Sequence, residues 1–416
     1  MFASNVLSSQ NIRSTAPQLH SLVVSLAAGI SAGSRILYTS YSGQVASLNI
    51  PYSRTSTIPD MKIASSSTCG YSSSWLVLDH KHEVLYCLDA GLATTGSGIV
   101  SLAAPRDGSL TYLNRANTTD APVGANFIGG SGLVVPHYFN GLSTWDISKP
   151  SAIRMVEFDT FTGSGPNPRQ QGPHLHEAVI DPTGEYLIVP DLGADLVRIF
   201  TFNTTSLHLE ALVPLQVPIG SGPRHVAFAV KCRKTFMYLV TELTSDIIGY
   251  QVTYNAGIQF RQIFAYSVHG EGKHTNPGAR AAEIVVSVRT RQREVHTEPT
   301  LTWVKPDNNF IIVSSRGDNT FSIPDFRSKG QNITSDPLIN YSIGSDGSIT
   351  VLQEVAAGGR YPQQFSINKA GDMVAVGFVE DNRVTVIERD LNSGMLGKFI
   401  AYADVPGNVS AVVFGH

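Results

Sequence analysis

The sequence has little charge, few cysteines and no long apolar run. Charged residues make up 15% of its 416 residues, and the net charge is −3 at pH 7, which gives no basic footprint for a nucleic acid. No stretch is long and apolar enough to span a bilayer. Helical periodicity is almost absent. What remains is 42% hydrophobic content with 37 glycines and 22 prolines, which is typical of a large, turn-rich β protein.

The segment 173–193 sets the pattern that the rest of the chain repeats. A short apolar strand at 178–180 leads into a DPTG turn at 181–184, and a second apolar strand follows. Proline presets φ and glycine supplies positive φ in such a turn, so the segment predicts a β-hairpin. The same pattern returns at 222–228 and 236–242. Repetition of strand units at this period predicts a β-propeller.

Seven blades and a single all-β domain are predicted over residues 33–416. Six blades follow one another along the chain. The opening strands at 36–48 and the final strand at 410–414 are left without a blade of their own. Pairing the two termini closes a seventh blade and removes the exposed sheet edges. Polar residues that open the innermost strands are then expected to face the central channel, where chemistry would take place.

The fifth blade has two possible starts, at 282–286 or at 300–304. The stretch between about 269 and 298 is polar, basic and irregular in sequence. Long loops inside compact domains tend to be functional or mobile, so a lid over one channel mouth is one interpretation.

Residues 1–32 are predicted to be a secretory signal peptide. An apolar run at 21–30 follows Arg13 and precedes small residues at 31–34. A frayed tail and a weak organellar presequence are the alternatives. With the N-x-[ST] sequons, the leader predicts a secreted or secretory-pathway protein. The sequons begin at Asn117, Asn203, Asn332, Asn340 and Asn408.

Three cysteines allow at most one intramolecular disulfide. In an oxidising compartment we expect Cys69 and Cys87 to pair across the first blade, which leaves Cys232 as a free buried thiol. Three unpaired core thiols are the alternative.

Several motifs resemble the lactonase-type seven-bladed propeller superfamily, which includes bacterial 6-phosphogluconolactonases and fungal 3-carboxy-cis,cis-muconate cyclase. The resemblance covers about residue 35 to the end. The motifs are GPHLHE (172–177), DPTGEYL (181–187), PDLGAD (190–195) and GPRHVAF (222–228). The segments CGYSSSWL (69–76) and LYCLD (85–89) resemble secreted fungal members of the muconate-cyclase-like branch, some of which are hetero-Diels–Alderases.

The resemblance implies a catalytic set of one histidine, two arginines and a glutamate at a channel mouth. These residues fall on His176, Arg224, Glu242 and Arg316. His174, typical of the lactonase side of the superfamily, is expected at the rim of the pocket. His225 is a candidate substrate contact, with structural packing between blades as the alternative.

These residue types suit ring chemistry. Arginine clamps carboxylates or an enolised carbonyl, and histidine carries protons near neutral pH. We therefore expect a cofactor-independent, ring-forming enzyme that acts on an oxidised small-molecule secondary metabolite, by hetero-Diels–Alder cycloaddition or by muconate-cyclase-like lactonisation. The alternatives are a 3-carboxy-cis,cis-muconate cyclase of aromatic catabolism and a non-catalytic secreted surface glycoprotein.

Other sites and partners are not predicted. No histidine, cysteine and carboxylate spacing matches a metal site, and no glycine-rich loop lies between a strand and a helix. The absence of a GxSxG motif argues against a serine hydrolase. The expected partner is a small-molecule substrate bound by a monomer, with no nucleic acid and no membrane span.

Overall fold

The computed structural model describes residues 35–51, 57–91, 96–119, 121–139, 141–291 and 303–415. Seven antiparallel sheets form the blades of an all-β propeller, as predicted. Within the described residues, the helical structure is a single turn of 3-10 helix at Pro150–Ala152. None of the described helices is long and apolar enough to cross a membrane. The predicted signal peptide, residues 1–32, lies outside the described residues.

The first three blades take up the chain as far as residue 216. The chain opens with β1 (Ile36–Tyr41), β2 (Gln44–Asn49) and β3 (Ile63–Thr68). The first blade contains β4 (Ser73–Asp79), β5 (Val84–Asp89), β6 (Ser97–Ala103) and β7 (Thr111–Thr118). The second contains β8 (Asn126–Ile128), β9 (Gly132–His137), β10 (Gly141–Asp146) and β11 (Arg154–Thr160). The third contains β12 (Val179–Ile180), β13 (Tyr186–Asp191), β14 (Leu196–Phe202), β15 (Leu209–Ala211) and β16 (Leu215–Gln216).

The remaining blades follow in the same order, from innermost strand to outermost. The fourth contains β17 (Pro223–Lys231), β18 (Lys234–Thr241), β19 (Asp246–Thr253) and β20 (Gln259–Ser267). The fifth starts with β21 (Arg280–Arg291) and β22 (Trp303–Arg316), continues past a separate hairpin of β23 (Phe321–Pro324) and β24 (Asn332–Ser335), and ends with β25 (Pro337–Ile343) and β26 (Ile349–Ala356). The sixth contains β27 (Pro362–Ile367), β28 (Met373–Phe378), β29 (Arg383–Arg389) and β30 (Leu396–Asp404), and the chain ends with β31 (Val409–Phe414).

The closure of the ring by the two termini is confirmed. The last strand, β31, pairs antiparallel with β1, so that Thr39 lies opposite Val412. The Thr39 hydroxyl also donates a hydrogen bond to the carbonyl of Ala411, over 3.2 Å. The closing blade therefore has the strand order β3-β2-β1-β31, with the C-terminal strand innermost.

The hydrophobic core is divided among the joints between blades. Seven clusters of buried side chains occur in the described residues, and each joins two neighbouring sheets. Second strands such as β5 are buried along their whole length because both faces of each sheet are covered. This packing explains why these strands are nearly continuous apolar runs in the sequence.

The first of the two starts considered for the fifth blade agrees with the structure. The innermost strand is β21, which includes 282–286, and the second start at 300–304 belongs to the neighbouring β22. The interpretation of 269–298 as an irregular insert is wrong for 280–291, because these residues form the innermost strand in a long hairpin with β22. Residues 292–298 of that stretch lie outside the described residues.

The predicted disulfide between Cys69 and Cys87 is present, with a Cα–Cα distance of 5.8 Å. Its predicted position within the first blade is wrong. Cys69 follows β3 of the closing blade, whereas Cys87 lies in β5 of the first blade. The disulfide therefore crosslinks two blades that also pack through a hydrophobic cluster. Cys232 is free as expected, but it is exposed in a turn rather than buried.

Candidate active site

One mouth of the central channel opens into a cavity of about 990 Å³. All seven blades contribute to its lining, because the ends of their inner strands converge there. The four residues that the resemblance brought together, His176, Arg224, Glu242 and Arg316, all line this cavity. The prediction that they share one mouth therefore agrees with the geometry.

Bulges at the starts of the inner strands aim side chains at this cavity. The ladder between β17 and β18 shifts register between Pro223 and His225, so that Arg224 lies at the bulge. A similar shift occurs in β27 at Gln363, between Pro362 and Gln364. Bulges re-aim side chains next to functional sites. Here they turn Arg224 and Gln363 into the channel mouth.

Glu242 is the centre of an ionic cluster that includes three arginines. Its Oε2 lies 3.0 Å from Arg224 Nε and 3.0 Å from Arg316 Nη2. Its Oε1 lies 2.7 Å from Nη1 of Arg169. Burial opposes the ionisation of Glu242, but the positive charges of Arg316 and Arg224 outweigh burial and hold the pKa of this carboxyl well below its usual value. The carboxylate thus remains charged and fixes the guanidiniums.

The two predicted arginines are held in different ways. Arg224 is almost fully buried and donates from Nη1 to the carbonyl of Ala282 over 2.6 Å. Burial, and next the charge of Arg316, lowers the pKa of Arg224 to about 10. Arg316 donates to Gln363 Oε1 over 2.8 Å, and its guanidinium lies 5.1 Å from the ring centroid of Tyr361. Arg224 is therefore charged at neutral pH, and both side chains are presented to the cavity with restricted freedom.

His176 precedes β12 and is held by backbone hydrogen bonds. Its N–H donates to the carbonyl of Pro190, and the neighbouring His174 N–H donates to the Asp191 carboxylate over 2.8 Å. The side chain lines the cavity and is 8% exposed. Burial, and next the charge of Arg224, lowers the pKa of His176 well below its usual value. Its imidazole is therefore neutral at physiological pH.

His225 does not reach the cavity, contrary to its assignment as a substrate contact. It is completely buried and lies behind the wall. Its Nδ1 is 2.9 Å from Glu283 Oε1, and its Nε2 is 3.3 Å from Nδ1 of His176. The alternative interpretation, a residue that packs between blades, describes its position better.

The only group of possible metal ligands found among the described residues is Glu177, His225 and Glu283. Their polar atoms already make hydrogen bonds to each other and to the backbone. Glu177 accepts from the N–H of Val226, and Glu283 accepts from that of Ile284. The Arg224 guanidinium also lies 3.1 Å from the His225 ring. These contacts describe a hydrogen-bonded group, and we assign no cation or cofactor to it.

His174 lies beside the main cavity, in agreement with its expected place at the rim. It lines a smaller hollow of about 480 Å³ that shares Tyr138, Phe139 and Arg169 with the cavity. Its ring stacks on Tyr138 with centroids 4.3 Å apart, and its Nδ1–H donates to the Tyr138 carbonyl over 2.7 Å. A substrate that fills the main cavity would contact His174 only if it extends past Arg169.

Arg169 and the apolar residues of the cavity lining were not predicted from the sequence. Arg169 lies in the long connection between β11 and β12, which has no strand periodicity to place it. Trp75 and Val123 also line the cavity, and the exposed rings of Tyr71 and Phe139 border it. The cavity lining thus combines the ionic cluster with apolar and aromatic side chains.

Arg360 is not part of the ionic cluster. It pairs with Asp381 over 2.8 Å and does not line the cavity.

The five predicted glycosylation sites differ in their exposure. The sequon at Asn340 is buried, and its Nδ2 donates to the Gly394 carbonyl over 2.8 Å, so this predicted glycosylation site is wrong for the folded chain. Asn408 lines the cavity. The sequons at Asn117, Asn203 and Asn332 are exposed.

Proteins similar to this chain include two bacterial 6-phosphogluconolactonases. The chain is 25% identical over 353 residues to a 6-phosphogluconolactonase of Formosa agariphila, with 82% of this chain and 88% of the relative covered. It is 23% identical to the 6-phosphogluconolactonase of Bacillus subtilis, with 80% and 84% covered. The structure superposes on a periplasmic gluconolactonase of Pseudomonas aeruginosa with a TM-score of 0.72 at 20% identity, over 92% of this chain and 99% of the other.

A second solved structure, of a protein from Lactobacillus plantarum, gives a TM-score of 0.72 at 21% identity, over 92% of this chain and 100% of the other. At these identities the structural likenesses show the fold alone. The family model described as lactonase, 7-bladed beta-propeller matches residues 37–414, which is nearly the whole propeller. The chain therefore belongs to the seven-bladed β-propeller lactonase family.

Proposed function

We propose that this protein is an enzyme that hydrolyses the ring ester of a small lactone, and that its substrate carries an anionic group and an apolar portion. One observation carries the proposal: the neutral imidazole of His176 shares a cavity with the guanidiniums of Arg169, Arg224 and Arg316. A base beside fixed cations is what hydrolysis of an ester needs.

His176 supplies the base. Its Nδ1 faces His225, which leaves Nε2 to accept a proton from water in the cavity. As the water oxygen adds to the lactone carbonyl carbon, His176 takes a proton, and the carbonyl oxygen becomes negatively charged. The intermediate then collapses with cleavage of the ring C–O bond. His176 returns the proton to the departing ring oxygen, and the product is a hydroxy acid.

The arginines stabilise the charge that develops on the carbonyl oxygen. Arg224 and Arg316 are both held by Glu242 and line the cavity, so they need little reorganisation during the reaction. Preorganised donors of this kind are usually the largest single contribution to catalysis.

The charge and lining of the cavity support an amphiphilic substrate. Three guanidiniums surround one carboxylate, so the ionic cluster has an excess of positive charge that favours a carboxylate or a phosphate. Trp75, Val123 and Phe139 offer contact to an apolar or aromatic portion. The names of the relatives, 6-phosphogluconolactonase, support lactone chemistry.

The experiment is a hydrolysis assay with a panel of lactones, in which base uptake at constant pH reports ring opening. The panel contrasts neutral and anionic lactones, with and without an aromatic substituent, and includes 6-phosphogluconolactone. We expect the highest kcat/KM for an anionic lactone with an aromatic group. Absence of hydrolysis with every lactone would overturn the proposal, and preference for neutral sugar lactones would overturn the substrate class.

Ring formation is the second candidate function, as lactonisation or as hetero-Diels–Alder cycloaddition in secondary metabolism. It is favoured by the meeting of His176, Arg224, Glu242 and Arg316 in one cavity, as the resemblance to muconate cyclase implies. Loss of the conjugated-diene absorbance of 3-carboxy-cis,cis-muconate on incubation with the protein would support it. The neutral state of His176 favours hydrolysis over lactonisation, because His176 could protonate a substrate carbon only as the charged imidazolium ion.

The non-catalytic surface glycoprotein remains a third hypothesis with less support. That hypothesis predicts that His176, Arg224, Glu242 and Arg316 are scattered or blocked, whereas they line an open cavity.

We retain the proposal that the protein works in the secretory pathway, which the disulfide between Cys69 and Cys87 supports.

A further inference from the structure

A buried row of ionisable side chains extends from His176 away from the cavity. Nδ1 of His176 lies 3.3 Å from Nε2 of His225, and Nδ1 of His225 lies 2.9 Å from Oε1 of Glu283. Glu177 approaches the same Nδ1 to 3.9 Å. His225 and Glu283 do not line the cavity, so substrate binding does not account for them.

We propose that His225 and the carboxyl pair of Glu283 and Glu177 form a buried proton relay that accepts the proton that His176 removes in the cavity. The relay rests on the proposed function of His176 as a base, and it adds a path along which that proton leaves. His225 is then a positioning and relay residue rather than a substrate contact.

The hydrogen bonds orient both imidazoles. A guanidinium can only donate, so Nη1 of Arg224, 3.1 Å from His225 Nε2, leaves this nitrogen as the acceptor. The other ring nitrogen of His225 then carries the proton and donates to Glu283. Nδ1 of His176 must in turn donate to His225 Nε2, which leaves Nε2 of His176 as the base that faces the cavity.

The path balances as a pure proton transfer. His176 gains a proton at Nε2 from water and gives its Nδ1 proton to Nε2 of His225. His225 gives its own Nδ1 proton to Oε1 of Glu283, which becomes a neutral carboxyl. No bond between heavy atoms changes, and no electron is transferred. The proton returns by the same path when the ring oxygen departs.

The charges around the row favour transfer to its far end. The groups that face His225 are His176, Glu177, Arg224, Glu283, and, farther away, Glu242 and Arg316. Burial and the charge of Arg224 lower the pKa of His225 well below its usual value, so a proton does not remain there. The Trp75 ring, which lines the cavity, packs on His225 in a T-shaped contact with centroids 5.8 Å apart.

The carboxyl pair can hold a proton near neutral pH. Burial raises the pKa of Glu283 to about 8. Burial, and next the charge of Glu283, raises the pKa of Glu177 well above its usual value. Because Glu283 accepts a proton only when it is ionised, the relay becomes available as the pH rises through about 8.

The first test does not depend on activity. Infrared spectroscopy of the wild-type protein should show a carbonyl band of a protonated buried carboxyl that disappears as the pH is raised through about 8. Glu283→Gln should remove the part of this band that titrates near pH 8, whereas Glu185→Gln, a control at an exposed turn, should leave the band unchanged. A wild-type spectrum without such a band overturns the relay, even if lactones are hydrolysed.

The second test uses a lactone that the wild-type protein hydrolyses. Glu283→Gln keeps the shape of the side chain but cannot accept the proton, so kcat should fall roughly 10- to 100-fold with little change in KM. The rise of kcat with pH near 8 should also be lost.

If Glu283→Gln does not fold, Glu177→Gln takes its place, and a lower apparent pKa in the kcat profile is expected. Unchanged kcat and pH dependence in the folded variant overturn the relay while the lactonase proposal stands. Absence of hydrolysis in the wild type defeats the lactonase proposal, and the infrared result still decides whether the carboxyl store exists.

Discussion

Nη2 of Arg316 lies 3.0 Å from Oε2 of Glu242, although the two residues belong to different blades. Glu242 follows β18 of the fourth blade, and Arg316 ends β22 of the fifth. Both side chains are at least 95% buried. The ionic cluster thus spans a joint between blades, and its charges are fixed by partners that lie far apart in the sequence.

Replacement of Glu242 by glutamine should destabilise the fold. Arg224 and Arg316 would be left as buried like charges without their shared carboxylate, and breaking a buried pair costs about 3–5 kcal/mol. Thermal unfolding of Glu242→Gln should show a clear loss of Tm relative to the wild type. An unchanged Tm would mean that the cluster is solvated and does not support the joint.

The same variant should change the response to acid. The folded-state pKa of Glu242 lies well below its usual value, so the stability that this carboxylate contributes is present above the unfolded-state pKa and is lost as the pH falls through the folded-state pKa. Urea unfolding at several acidic pH values should show a smaller loss of stability with acid in Glu242→Gln than in the wild type. Equal slopes for both proteins would contradict this assignment.

Arg316 should be needed for catalysis more than for folding. Arg316→Ala removes a donor to the developing oxyanion, and we expect a loss of about 2–4 kcal/mol in transition-state stabilisation, measured as kcat/KM. Arg360→Ala is the matched control, because that arginine is paired with Asp381 outside the cavity. Equal activity of the two variants would remove Arg316 from the mechanism.

Much of the fold could be predicted from the sequence, because each hairpin is encoded locally. The DPTG turn after 178–180 and its repeats give the blades, and the unpaired strands at the two termini predict the closure. His176, Arg224, Glu242 and Arg316 were assigned through the resemblance to the muconate cyclase, and their positions at the ends of strands predict that they share one face of the propeller. Their motifs did not reveal that three guanidiniums share one carboxylate.

What the sequence did not reveal depends on tertiary packing. Arg169 lies in a connection without periodicity, and only the folded chain places it against Glu242. The pairing of Cys69 with Cys87 was predicted, but its location between two blades requires the packing of one sheet on the next. Burial of Asn340 follows from its position in β25, which the sequon alone does not reveal.

The cluster of His269 with two carboxylates should make stability depend on pH at the alkaline end. Hydrogen bonds to Asp318 and Glu354 raise the pKa of His269 to about 9. The stabilisation is fully present below the unfolded-state pKa and is lost as the pH rises through about 9. Unfolding midpoints should decline over this range in the wild type and less in His269→Gln. A parallel decline in the wild type and in His269→Gln would show that groups other than His269 cause the loss of stability.

Glycosylation in a secretory host should follow exposure. Asn117, Asn203 and Asn332 are exposed, whereas Asn340 is buried and hydrogen-bonded. Peptide mass mapping should therefore find glycans on the first three residues and none on Asn340. Secreted protein without any glycan, or with Cys69 and Cys87 as free thiols, would contradict the proposed secretory location.

The most direct test is the hydrolysis of an anionic aromatic lactone by the wild-type protein, by His176→Gln and by His174→Gln. We predict measurable kcat for the wild type and a loss of about 100-fold or more in His176→Gln, because the general base is removed. His174 lies at the rim, so His174→Gln should change KM more than kcat. Wild-type activity that survives in His176→Gln, or a wild type that opens no lactone, would contradict the account.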